Sequence, residues 1–398
     1  MASENGSGFL FPYERDSDNV PAELLRRLAD DPLAPVTLPS GDQAVVAVRH
    51  ADVRQVFSDP RFTRELHYPG APRMTKGADL SDDPNAMINM DPPRHSRLRR
   101  IVSGTFSPRR VATWRPWAAE VAEALVDELA AGPAPADLVS AFAFPFPIRV
   151  ICELLGVPHD DRKRFRAWSD AFLSSADAEG RAAAGQEFSR YVAELVERRR
   201  KAPGDALVDA LIEARDGRDS LTEGELIRMT LGLIIAGHET TATVLSRGVL
   251  LLLSEPGRYG ALVDDTDKVP VAVEEILRLN TPGDASLLRV AKEDVKLSSG
   301  TISKGQTVMA CPTAANHDGG VFPEPENYDI SRAEIPHMTF GYGTHFCLGA
   351  NLARMELQVA LSALVRKLPG LALAIAPEDV EWRTDLMVRR PKELPVVW

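Results

Sequence analysis

"FGYGTHFCLGANLAR", residues Phe340–Arg354, places one of the chain's three cysteines among three glycines and a histidine, ahead of a helix-like stretch. A thiolate that ligates a metal needs close backbone approach and N–H donors around the sulfur. Glycine permits both, because it lacks a Cβ and accepts positive φ. Gly341, Gly343 and Gly349 are spaced around Cys347 as such a loop requires. A helix beginning near Gly349 would aim its positive end at the sulfur, and Phe340 would shield one side. The spacing speaks against zinc, since no second cysteine stands at CxxC distance and His345 and Cys347 alternate at i and i+2. The loop alone leaves one alternative open: a buried, inert thiol beside a turn.

The stretch "LIRMTLGLIIAGHETTATVLSRGVLLLLSE", Leu226–Glu255, has no proline and is apolar nearly all round. It reads as a long central helix, opened by a Thr222/Glu225 capping box. Gly232 and Gly237 each cost that helix roughly 1 kcal/mol relative to Ala. Glu239, Thr240 and Thr241 add polar groups at its middle. By themselves these are satisfied blandly: Thr240 bonds back to the Ala236 carbonyl and Glu239 reaches solvent. In "EEILR", Glu275 and Arg278 share a helix face at i,i+3. Alone, they read as a surface ion pair contributing about 0–1 kcal/mol.

Elsewhere the pattern is mostly helical from Ala51 to Glu275. "AVVAVRH" (Ala44–His50) reads as a strand. Alternation with Gly300 and Gly305 in Val295–Ala310 reads as a short hairpin region, and strand signals return in "LALAIA" and "ELPVVW". The expected architecture is mainly α with small peripheral sheets. With no dividing linker, it forms one domain over 1–398.

The net charge of −11 argues against nucleic acid as the main partner. No run of about 20 apolar residues offers a membrane span. The N-terminal stretch lacks a basic start followed by an apolar core. Three scattered cysteines do not make a disulfide framework, so a cytoplasmic location is expected.

Together these segments resemble the cytochrome P450 superfamily. Its pattern F-G-x-G-x-H-x-C-x-G is complete at Phe340, Gly341, Gly343, His345, Cys347 and Gly349. "AGHETT" is similar to the family's A-G-x-D/E-T-T/S motif, and "EEILR" to its E-x-x-R. "FPEPENYDISR" supplies Arg332 as the arginine that joins that pair. "MDPPRHSRLRR" resembles the segment that contributes His95 and Arg99, and "LLRVAKEDV" the one that contributes Arg289.

The resemblance implies a haem b cofactor with Cys347 as the axial iron ligand. His345, His95, Arg99 and Arg289 would hold the haem propionates, and Ala236 and Gly237 would lie against the ring. Thr240 and Glu239 would position and relay protons for dioxygen activation, with Gly237 and Thr240 opening the helix locally. Glu275, Arg278 and Arg332 would form a buried structural triad. Met87, Ile235, Ala236, Ala285, Leu287 and Met387 are expected at the substrate.

The implied activity is a haem-thiolate monooxygenase. It would insert one oxygen atom from O2 into a small organic molecule by hydroxylation or epoxidation, tailoring a secondary metabolite such as a polyketide or macrolide. Ring closure or oxidative coupling on the same haem is the alternative within the class, and a non-catalytic haem sensor is the alternative outside it. A ferredoxin-type donor and its reductase would supply electrons to a monomeric protein.

Overall fold

The structure is a computed structural model that describes residues 9–10, 20–77, 79–158, 161–173, 178–216, 221–284, 286–383 and 388–398. Among these residues the helices are α1 (Ala22–Asp30), α2 (His50–Ser58), α3 (Arg94–Ser103), α4 (Pro108–Ala130), α5 (Pro145–Leu155), α6 (Arg162–Leu173) and α7 (Ala178–Lys201). They continue with α8 (Leu207–Asp216), α9 (Glu223–Leu253), α10 (Arg258–Asp264), α11 (Val269–Leu279), α12 (Pro312–Ala315) and α13 (Ala350–Lys367).

Helix α9 organises the rest. Its 31 residues extend about 46 Å at 1.5 Å per residue. The Thr222 side chain accepts from the Glu225 N–H while Glu225 accepts from the Thr222 N–H, closing the capping box. Buried residues occupy every side of its second half, Thr241–Leu250, because α5, α11 and α13 all pack on it. Helix α13 also runs along α4, so the segment after Cys347 is clamped between two long helices.

The helix does not open at Gly237, contrary to expectation. It runs unbroken from 223 to 253. A Cβ at Gly237 would lie 2.7 Å from the Ile151 side chain, so this glycine lets α5 approach closely. The cost of an internal glycine is offset there by packing.

A six-stranded sheet carries one wall of the site. Its order is β1 (Phe9–Leu10), β2 (Leu33–Thr37), β3 (Gln43–Ala47), β9 (Thr307–Ala310), β6 (Arg289–Ala291), β4 (Phe62–Thr63). β2 and β3 pair antiparallel with Leu33 opposite Ala47, and β6 pairs antiparallel to β9 with Arg289 opposite Val308. β7 (Val295–Lys296) and β8 (Thr301–Ile302) form a separate hairpin. Near the end of the chain, β13 (Pro395–Val397) lies between β10 (Ala372–Leu373) and β5 (Ala136–Asp137) in a three-stranded antiparallel sheet. β11 (Trp382–Arg383) pairs with β12 (Arg390–Pro391).

The Glu275–Arg278 pair is a core feature, not a surface one. Both side chains are fully buried. Arg278 donates to both Glu275 oxygens, at 2.8 and 2.7 Å, and to the Asn316, Pro325 and Asn327 carbonyls. Arg332 Nε donates to Glu275 at 3.1 Å and holds the Pro323 and Glu324 carbonyls. This network ties α11 to the long connection that leads into the cysteine loop. Glu275→Ala would leave two guanidinium groups uncompensated in the interior. The expected cost is about 3–5 kcal/mol, read as a lower denaturation midpoint and a poor yield of cofactor-loaded protein. A loss below ~1 kcal/mol would place the pair with ordinary surface contacts.

Candidate active site

A cavity of about 1200 Å³ lies between α9, the cysteine loop, α3, α7, β6 and the 79–88 loop. Most of the expected site residues line it: Cys347, His345, Phe340, Gly341, Gly349, His95, Arg99, Arg289, Ala236, Gly237, Glu239 and Thr240. Met87, Ile235 and Leu287 line it too. Ala285 and Met387 lie outside the described residues. Glu275, Arg278 and Arg332 are not part of the lining.

The loop that presents the sulfur is built by backbone geometry. Gly341 and Gly343 both have φ of +69°. A Cβ at Gly343 would fall 2.8 Å from the Ser58 Cα, so the loop can sit against α2 only with glycine there. The Cys347 N–H donates to the Phe340 carbonyl at 2.8 Å and closes the loop. α13 starts at Ala350 with Gly349 as its cap. Burial raises the Cys347 thiol pKa, opposed by the Gly349 N–H and the charges of Arg99 and Arg354. A thiol at the floor of an apolar cavity thus already has donors arranged for its ionised form.

One edge of the cavity collects basic side chains, and its arginines Arg99 and Arg289 have no ion-pair partner among the described residues. Arg289 is buried, with its guanidinium over the Phe57 ring at 5.0 Å. Burial lowers its pKa to about 10. Burial likewise lowers Arg99, and nearby Cys347 only partly opposes that. The His95 and His345 rings stand 4.4 Å apart. Desolvation first, then neighbouring positive groups, lowers them to about 4 and about 3. Both imidazoles are therefore neutral at pH 7, and His95 Nδ1 is buried with no partner among the described residues. Arg64 stands behind this group, buried, with its pKa lowered to about 9 by burial and then by Arg289. It braces the edge by donating to the Leu288 and Ile88 carbonyls and to Asn89 Oδ1. Unpaired buried charge is expensive, so this edge is shaped for an anionic ligand.

Above the sulfur, on α9, Thr240 Oγ1 donates to the Ala236 carbonyl at 2.8 Å. The sequence left open that bland geometry, and it is the one present. Glu239 does not reach solvent. It is fully buried and accepts from Arg390 Nε at 3.0 Å. Arg390 also donates to Asp170 of α6 at 2.9 Å and lies over the Phe144 ring. Arg97 of α3 is ion-paired with the buried Glu225.

Sequence reasoning missed Arg64, Arg390 and Asp170, and also Glu356. Glu356, on α13, lines the cavity, and neither carboxyl oxygen has a partner among the described residues. Burial raises its pKa well above the ordinary value. A carboxyl with a raised folded pKa favours the native state below its unfolded pKa of about 4.3. That contribution is lost as pH climbs toward the folded value. The parent should therefore lose ground to Glu356→Gln between pH 5 and pH 8. Urea midpoints of the two holoproteins at those pH values check it. A pH-independent difference would mean the group is not protonated in the native state.

The comparisons with known proteins agree with this geometry. The family model described as Cytochrome P450 matches residues 163–371. The chain is 44% identical over 379 residues to a mycinamicin IV hydroxylase/epoxidase of Micromonospora griseorubida, covering 92% of this chain and 93% of that protein. It is 42% identical over 375 residues to a nocardicin C N-oxygenase of Nocardia uniformis subsp. tsuyamanensis, covering 93% of each. The crystal structure of SgvP, a putative thioether synthase in griseoviridin tailoring, matches with a TM-score of 0.94 at 38% identity, over 98% of this chain and 100% of that one. The chain belongs to the cytochrome P450 family and is a monooxygenase of that family, and family membership implies a haem, O2, a substrate and a redox partner. No helix among the described residues is long and apolar enough to cross a membrane.

Proposed function

We propose that the whole chain, 1–398, is one haem b-thiolate domain that oxidises a bulky secondary metabolite of polyketide or macrolide type. The observation that carries this is the pairing, in one cavity, of a half-buried thiol with an edge of arginines that have no ion-pair partner among the described residues. The residues present fit a haem: Cys347 for the iron, and Arg99, Arg289, His95 and His345 for the two carboxylates. When bound, haem supplies reductive activation of O2, with the thiolate favouring O–O cleavage.

The protein's own part is positional. Arg99 and Arg289 neutralise the carboxylates, and the His95 and His345 imidazoles donate to them. Apolar residues exclude water above the sulfur. Thr240 and Glu239 place a hydroxyl and a carboxyl on the stretch of α9 that lines the cavity. A cavity of about 1200 Å³ exceeds the ~300–1,000 Å³ usual for one small-molecule site. That leaves space beside the cofactor for a large substrate, and Met87, Ile235 and Leu287 give it an apolar wall. The mycinamicin enzyme supports this substrate class by likeness. SgvP supports ring closure or coupling as the second reading.

The reading includes a cytoplasmic monomer served by a ferredoxin-type donor. Arg100, Arg109 and Arg110 are exposed near the start of α4 and offer an acidic donor a local basic surface despite the net charge of −11. The test is a panel of macrolides, linear polyketides, small terpenes and fatty acids titrated into the ferric holoprotein. Members of the true class should shift the haem absorption band at micromolar concentration and be turned over with a ferredoxin system. A panel in which only small terpenes or fatty acids shift the band would overturn the assigned class.

A further inference from the structure

Glu274, the residue before the buried Glu275, has a network of its own. Arg354 of α13 donates to both its oxygens, Nε to Oε1 at 2.8 Å and Nη2 to Oε2 at 2.9 Å. His337 Nε2 lies 3.2 Å from Oε2. His337 Nδ1 accepts the Thr339 N–H, which leaves Nε2 as the donor toward Glu274. Burial alone would raise the Glu274 pKa, but the hydrogen bonds from His337 and Arg354 carry it down to about 2. It is ionised throughout the physiological range.

His337 and Arg354 bracket the cysteine loop. One precedes Phe340, and the other is seven residues after Cys347. Between them, the Arg354 guanidinium covers the Phe340 ring at 4.5 Å, and His337 flanks the same ring at 5.7 Å. Phe340 is the residue whose carbonyl receives the Cys347 N–H. The entry to the loop is also pinned through Met338 N–H to Asn316 and Thr339 Oγ1 to the Leu277 carbonyl. At the exit, Asn351 Nδ2 donates to the Phe106 carbonyl and Arg354 holds Glu274.

We propose that Glu274 is a positioning residue for the thiolate: one carboxylate fastens both ends of the cysteine loop to α11 and neutralises the Arg354 charge beside the sulfur. This rests on Cys347 being the iron ligand. Two effects follow, one of geometry and one of charge. Loosening either end lets the sulfur leave the iron more readily. Unbalancing the pair changes the field at the iron. Glu274→Gln leaves Arg354 uncompensated and favours the reduced state, whereas Arg354→Gln leaves an uncompensated carboxylate and disfavours it.

The experiment uses haem-loaded protein and two readouts besides activity. One is the rate at which the reduced carbon monoxide complex loses its red-shifted thiolate band. The other is the midpoint potential by spectroelectrochemistry. Glu274→Gln and Arg354→Gln should both lose the band at least about tenfold faster than the parent, the lower end of what outer partners of metal ligands contribute. Their potentials should move in opposite directions, upward for Glu274→Gln and downward for Arg354→Gln. Arg354→Lys, which keeps the charge without the two-pronged fit, should lose the band faster while holding the parent potential. If Glu274→Gln cannot be recovered, Arg354→Lys decides. Parent-like band retention in Arg354→Lys, or potentials that move together, overturns the clamp. Cys347→Ser is measured alongside: a band that survives there sinks the ligand assignment itself, while a band lost there and undisturbed in the other variants sinks only the clamp.

Discussion

Cys347→Ser should abolish the red-shifted band of the reduced, carbon monoxide-bound protein, whereas Cys152→Ser and Cys311→Ser should retain it. The three thiols sit in different surroundings. Cys152 is packed in the hydrophobic core on α5, and Cys311 donates to the Asp284 carbonyl at the end of β9. Neither lines the cavity. Cys347 does, with the Gly349 N–H and two guanidinium charges working against the pKa rise that burial imposes. Binding a metal displaces the thiol proton, so these groups favour the ligated form specifically. Serine keeps the size but not the soft, readily ionised donor that iron requires here. The effect is all-or-none in the spectrum, not a graded loss. A surviving band in Cys347→Ser would move the ligand elsewhere and remove the basis for the whole reading.

The second large effect is expected at Thr240. Thr240→Ala should keep haem, carbon monoxide and substrate binding, since none of these needs the hydroxyl. Reductant should still be consumed, but more of it should end as hydrogen peroxide and less as product. Positioned proton transfer is typically worth about 10²–10⁴-fold, or about 2.7–5.4 kcal/mol at 1.36 kcal/mol per decade.

That magnitude decides whether the observed back-bond matters. Thr240 Oγ1 now donates to the Ala236 carbonyl. Turning it toward dioxygen held in the cavity gives up one neutral hydrogen bond, a net loss of about 0.5–1.5 kcal/mol. A gain of that size would exceed it, so the back-bonded hydroxyl is compatible with the proposed role. Glu239 is more firmly committed, through Arg390 to Asp170. Glu239→Gln should therefore slow turnover without increasing peroxide as much as Thr240→Ala does. The measurement is product formed per reductant consumed, in parent and variants, once a substrate is in hand. An unchanged ratio in Thr240→Ala would confine that threonine to its helix.

Both predictions concern residues found by motif, and that shows what was legible. The cysteine loop was readable because its demands are local: positive φ and a close approach to α2 need glycine, and the sulfur needs cysteine. The ends of α9 were readable because a capping box operates over three residues. The role of Gly237 was misread, since whether a helical glycine opens a helix or admits a neighbour depends on Ile151, 86 positions earlier in the chain.

By itself, the sequence determined which residues have unusual local chemistry and where the chain turns helical, for these are governed by groups a few positions apart. Charge pairing was decided only by the tertiary structure. Nothing near Glu239 announces Arg390, 151 residues away, and nothing near Glu274 announces Arg354, 80 residues away. Nor does a lone Glu356 on an amphipathic helix announce a carboxyl without a partner. Water would satisfy each of these groups in an isolated segment. Only packing removes the water, and only then does a distant residue become the partner that sets the charge, the proton and the position of the site.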